Sequence, residues 1–143
     1  MLMRTNMTEG DERLLRVAQA CRESPHPQAF NMGMFVHACG TPACALGHYG
    51  ARQDLQNVYR VIRSCRFGND QRDMVAYDLE AARRGAYRPD VDEVAYEHFE
   101  LDYRQYTELF ACDGCGGAQT PEQAADYIER FVARRIAARE ALV

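Results

Sequence analysis

The residues best suited to hold a metal or carry thiol chemistry fall in two short stretches. They are Cys39-Gly-Thr-Pro-Ala-Cys44-Ala-Leu-Gly-His48 and, far downstream, Cys112-Asp-Gly-Cys115-Gly-Gly. Thr41-Pro42 is a strong helix-start signal: an N-cap residue followed by a proline whose missing N–H would have had no partner there. Counted from Thr41, Cys44 falls in the first turn, where the positive end of the helix dipole lowers a thiol's pKa. His48 lies one turn on, on the same face. Cys39 stands just before this helix, and His37 two residues before Cys39.

Three chemistries suit this set. Small thiols could simply pack at the helix start and in a loop, since free cysteine is among the most buried residue types. Cys39, Cys44, His48, Cys112 and Cys115 could supply the four ligands of a structural zinc ion, the glycine-rich Cys-x2-Cys turn aiming two sulfurs at one point. Or Cys44 could be a nucleophile with His48 or His37 as its base, with Cys112 and Cys115 as a rival redox pair. No thioredoxin-like βαβ pattern surrounds that pair.

The elements that must position these residues belong to one domain, residues 1–143, long enough to bury a core without staples. A hydrophobic content of 47% and a charged content of 27% are ordinary for a globular chain. The longest apolar stretch, around 32–45, is interrupted by Gly, His, Thr and Pro, so no membrane span is expected. The polar N-terminus does not read as a secretory leader, which predicts a cytoplasmic protein with reduced cysteines rather than a disulfide framework. All 17 basic residues are Arg. Without lysine, Schiff-base and lysine-base mechanisms are excluded. The net charge of −4 argues against nucleic acid as a partner.

Capping chemistry and periodicity predict an all-α fold of about six or seven helices. Thr8 with Asp11 opens a helix through about Arg22, with Leu14, Leu15, Val17, Ala18 and Cys21 on its apolar face. Ser24-Pro-His-Pro27 ends it. A short hairpin is an alternative near 30–37. After Thr41-Pro42, Ala43, Gly47 and Ala51 form a small-residue stripe that would let another backbone approach. Leu55, Val58, Tyr59, Ile62 and Cys65 continue a helical period, with Val61-Ile62 open to a strand reading. Asn69 or Asp70 starts a further helix closed by Gly85. Asp90 with Glu93, Asp102 with Gln105, and Thr120-Pro121-Glu122-Gln123 mark three more helix starts. Arg130, Arg134, Arg135 and Arg139 load the last helix toward its C-terminus, where cations suit the dipole. His98 reads as an ordinary surface residue and His26 as a loop residue.

Between Asp90 and Asp102 stand six carboxylates with no arginine among them. Such a run is either a solvated face or a patch that docks a basic partner. Tyrosine is enriched in interface cores, which nominates Tyr87, Asp90, Asp92, Glu93, Tyr96, Glu97, Glu100 and Tyr103 as partner-binding residues.

Phe30-Asn-Met followed by Cys39-Gly-Thr-Pro-Ala-Cys44-Ala-Leu-Gly-His48 resembles the Cys-Gly-Thr-x-Ala-Cys-x-x-Gly signature of small phage and prophage proteins. Phe99-Glu-Leu-Asp, Leu109-Phe110 and Thr120-Pro-Glu-Gln-Ala-Ala125 resemble the second half of the same proteins. The Gly-His-Tyr after the first motif departs from their pattern, and Cys112-Asp-Gly-Cys115 is not one of their features. The resemblance implies a phage context and brings no catalytic residues with it. The resulting expectation is a non-enzymatic accessory protein that binds a host-encoded protein, inhibiting a host factor or defence system. The alternative is a thiol- or zinc-dependent enzyme using Cys44 with His48 or His37.

Overall fold

The computed structural model describes residues 6–33, 43–52, 60–62, 66–67, 70–71, 74–76, 87–88 and 91–142. Its core is all-α. Helix α1 spans Glu9–Arg22, α2 Ala45–Ala51, α3 Val91–Phe99, α4 Tyr103–Phe110 and α5 Pro121–Ala141. A single 3-10 turn at Pro27–Ala29 and a tight turn at Gly114–Gly117 join them. One continuous hydrophobic cluster runs from Leu14, Val17 and Cys21 of α1 through Leu46 and Tyr49 of α2 to Phe99, Leu109 and Ile128. Among the described residues no helix is long and apolar enough to cross a membrane.

α1 begins as its sequence dictates. The Thr8 hydroxyl accepts from Asp11 N–H, and the Asp11 carboxylate accepts from Thr8 N–H, a reciprocal capping box. Leu14, Val17, Ala18 and Cys21 then recur at helical spacing and are buried, mostly against α5. α4 starts with an equivalent box between Asp102 and Gln105. α5 starts with Thr120 accepting from Gln123 N–H and Pro121 at its first position. There the Gln123 side chain accepts from Gln119 N–H instead of closing a box with Thr120. Ala124, Ala125, Ile128, Phe131 and Val132 form the buried stripe of α5.

Between α2 and α3 the expectation of two long helices fails. The described residues there are short strands: β1 Arg60–Ile62, β2 Arg66–Phe67, β3 Asp70–Gln71, β4 Met74–Ala76 and β5 Tyr87–Arg88. β1, β4 and β5 form an antiparallel sheet in that order, with Val61 opposite Val75 and Ala76 opposite Tyr87, and β2 pairs with β3. β-branched Val61-Ile62 and Val75 suit a pleated surface better than a helix. The expected stripe is also altered. Ala43 and Gly47 are buried, but Ala51 is exposed. Of the hairpin alternative at 30–37, residues 30–33 are loop and turn, with Asn31 N–H donating to Ala43 O at 3.0 Å, and 34–37 lie outside the described residues.

Three helices meet at one polar joint. Gly10 of α1 lies so close to α3 that a Cβ there would sit 2.5 Å from the Phe99 carbonyl oxygen. α3 ends in a Schellman motif: Leu101 N–H donates to Tyr96 O at 2.9 Å and Glu100 adopts a left-handed φ of 57°. Arg135 of α5 donates to the Phe99 and Glu100 carbonyls at 3.1 and 2.8 Å and to the Asp11 carboxylate at 2.7 Å. One guanidinium thus satisfies carbonyls that a helix end leaves open. At the far end of α5, Arg139 donates to Asn6 O, while Asn6 Nδ2 donates to Glu140.

Candidate functional site

The first motif folds inward. Cys44 is the N-cap of α2 and not a residue within its first turn, and it is buried along with His48. His48 Nδ1 lies 2.9 Å from the Cys44 carbonyl oxygen, and its Nε2 lies 2.8 Å from Ser24 Oγ. A carbonyl can only accept, so Nδ1 carries a proton and the ring is oriented by both neighbours. His48 therefore ties the start of α2 to the loop after α1. Its ring nitrogens face the carbonyl of Cys44 and the hydroxyl of Ser24, not the Cys44 thiol. His37 and Cys39 lie outside the described residues.

The second motif straddles the surface. Cys112 is exposed and Cys115 is buried, its Sγ donating to Leu109 O at 3.3 Å. Cys115 itself is left-handed (φ 56°, ψ 40°), as are Gly116 and Gly117 after it. A side chain in that region costs roughly 1 kcal/mol relative to glycine. The strain turns the sulfur toward the core, where Cys115 joins Cys21 and Cys44. Burial pushes the Cys115 thiol up to about 12, and the Cys44 thiol and Glu108 add to the shift. Burial raises the Cys21 thiol as well, with Cys115 and Cys44 adding repulsion. The Cys21 and Cys115 thiols are therefore protonated at neutral pH. A cavity of about 580 Å³ opens beside the turn.

Among the described residues no group of three or more His, Cys, Asp and Glu side chains could hold a metal ion. Cys112 is exposed and Cys115 buried, and both ring nitrogens of His48 have partners. The neighbour that Cys44 and Cys115 do find is Cys21, which the sequence marks only as an apolar position on α1.

The acidic run folds into a corner. Glu93, Glu97 and Glu100 are exposed on α3, and Val94, Ala95, His98 and Phe99 are buried on its other side. Tyr96 is half-buried and meets Tyr106 edge-on at 5.2 Å. Asp102 is exposed at the cap of α4, and Tyr103 beside it is 72% exposed, against the usual habit of tyrosine. Asp90 and the side chains of Tyr87 and Asp92 lie outside the described residues. Glu100 has a left-handed backbone, and its side chain lies over Gly10 of α1.

Other polar residues turn out to be structural. His98, expected on the surface, is 7% exposed, and its Nε2 shares a hydrogen bond with the Tyr49 hydroxyl at 2.8 Å. Burial lowers its pKa to about 3, with Arg13 and Arg16 adding repulsion. Its i, i+4 spacing from Val94 is the sequence signal for it. The arginines of α5 are also engaged: Arg134 with Glu108 at 2.9 Å, and Arg135 and Arg139 with Asp11. Asp11 is fully buried. Burial raises its pKa, but hydrogen bonds from Arg139, Thr8 N–H and Arg135 outweigh it and hold the carboxyl at about 2. No protein-family model, curated protein or solved structure matches the chain.

Proposed function

We propose that this is a non-enzymatic phage or prophage accessory protein. It works by docking the acidic corner between α3 and α4 onto a basic surface of a host-encoded protein, inhibiting a host factor or defence system. The phage context rests on the likeness of residues 30–48 and 99–125 to small phage proteins. The binding reading rests on one observation: Glu100 occupies a left-handed position where glycine would be less strained, and its side chain is exposed. Non-glycine residues held in such conformations cluster where the side chain has a use. Around it, Glu93, Glu97 and Asp102 are exposed carboxylates, and Tyr103 offers an aromatic ring of the kind that anchors interfaces. Arginine- or lysine-bearing surfaces complement such a corner in charge, and tyrosine rings also accept cations on their faces.

The test uses tagged protein and host lysate, with capture read at low and moderate salt. The wild type retains a basic host protein, and retention falls as salt rises. Tyr103→Ala and Glu97→Arg abolish that retention while leaving the circular dichroism unchanged. Glu100→Gly separates strain from use: it stabilises the fold by about 0.5–1 kcal/mol and weakens capture. Equal capture by all three variants and the wild type would overturn the reading.

A further inference from the structure

We propose that Cys112 and Cys115 form a dithiol–disulfide exchange site that reacts with low-molecular-weight, peptide-like disulfides, Cys112 attacking and Cys115 resolving. The proposal is independent of the docking corner.

Four observations carry it. The first is connectivity: Gly114 N–H donates to Ala111 O at 2.7 Å, so the chain doubles back between the two cysteines and keeps them within one turn. The second is their unequal exposure. Cys112 is open to solvent and to a reagent, whereas Cys115 is buried directly behind the turn. The third is the backbone. Cys115 is left-handed between a buried Gly114 and the left-handed Gly116 and Gly117, a place where a fourth glycine would fit more cheaply. A thiol is kept there at the expense of strain. The fourth is the cavity of about 580 Å³ lined by Cys115, Gly116 and Gly117 and walled by Gln123, Asp126 and Arg130. Its size suits a small ligand, and its amide, carboxylate and guanidinium suit the backbone and end groups of a short peptide.

The exchange balances as follows. The Cys112 thiolate attacks one sulfur of R–S–S–R, forming Cys112–S–S–R and expelling RS⁻. Cys115 passes its proton to that departing thiolate, leaves the Leu109 carbonyl and attacks the Cys112 sulfur. The Cys112–Cys115 bond forms and a second RS⁻ leaves, to be protonated by water. The protein gives up two electrons, and the small disulfide becomes two thiols. Because burial keeps Cys115 protonated until Cys112 has reacted, the order of attack is set by the fold.

The experiment equilibrates the reduced full-length protein with oxidised glutathione, alkylates the remaining thiols and maps the peptides. The wild type yields a Cys112–Cys115 disulfide, with no glutathione retained on either residue. Cys115→Ser stops at glutathione on Cys112, and Cys115→Ala repeats that arrest should the serine variant be unfolded. Cys112→Ser slows oxidation of Cys115 by about 100-fold or more, the loss expected when an intramolecular step has no partner. Wild-type protein that holds glutathione on Cys112 while Cys115 stays reduced would overturn the proposal. So would a product in which Cys115 is bonded to Cys44 or Cys21.

Discussion

Two ionic clasps join the same pair of helices, α1 and α5, and differ mainly in their access to water. At one end Arg22 reaches Glu122, Asp126 and Glu129 at 2.9, 2.5 and 2.7 Å, and the carboxylates are half exposed. At the other, Asp11 receives Arg135 and Arg139, both at 2.7 Å, and is wholly buried. The residue types and distances are alike. The exposed clasp exchanges water for protein partners at little net gain. The buried one has no such exchange to fall back on, so losing either side leaves a charge stranded. The pair shows that an ion pair's consequence is set by what surrounds it when it breaks.

The largest effect should therefore come from the buried clasp. Asp11→Ala leaves two guanidiniums beside an apolar core and is expected to destabilise by about 3–5 kcal/mol in urea denaturation. A loss no greater than that of Arg22→Ala would break the comparison.

Acid should act on the buried groups next. His98 has a folded pKa of about 3 against an ordinary 6.5, so its contribution is complete above pH 6.5 and is lost as pH falls toward 3. Asp11 has about 2 against 3.8, so its contribution is complete above pH 3.8 and fades toward 2. Together the two windows predict a stability that declines continuously below pH 6.5, with Asp11 supplying about 2 kcal/mol at the acid end. Asp11→Asn should flatten the profile below pH 3.8 and leave the His98 window in place. Melting curves taken across this range decide it.

Gly10→Ala probes the joint that frames the buried clasp. Alanine favours a helix by about 1 kcal/mol over glycine. Its Cβ would nevertheless meet the Phe99 carbonyl, and a net destabilisation of about 1–3 kcal/mol is expected from the crowding. A gain in stability would show that α1 and α3 can separate. The smallest effect belongs to Arg22→Ala, at most about 1 kcal/mol and shrinking with added salt.

Much of the helical frame was legible because capping chemistry is local. Thr8 with Asp11, Asp102 with Gln105, and Thr120-Pro121 each state a helix start within four residues, and the structure agrees at all three. What local chemistry cannot state is the partner across the core. Asp11 reads as a capping residue, and its bonds to Arg135 and Arg139 span more than a hundred residues of chain. The arginines of α5 read as matched to a dipole, yet their contacts are tertiary. Leu55 to Cys65 fits a helical period, but Val61-Ile62 pairs as a strand, because β-branched residues fit either period over so short a run. At the candidate sites, the run of carboxylates and the Cys-x2-Cys spacing were visible. The left-handed backbone of Glu100 and Cys115, which singles them out within those runs, was not, since neither is glycine or asparagine.

The bonds that join Asn6 to Arg139 and Glu140 also order events during synthesis. α1 leaves the ribosome about a hundred residues ahead of its main partner, α5. Until α5 emerges, α1 has only α2 and α3 to pack against, and Asp11 lacks the guanidiniums of Arg135 and Arg139. Part of the apolar stripe of α1 therefore stays open to chaperones or to wrong contacts until α5 has been made.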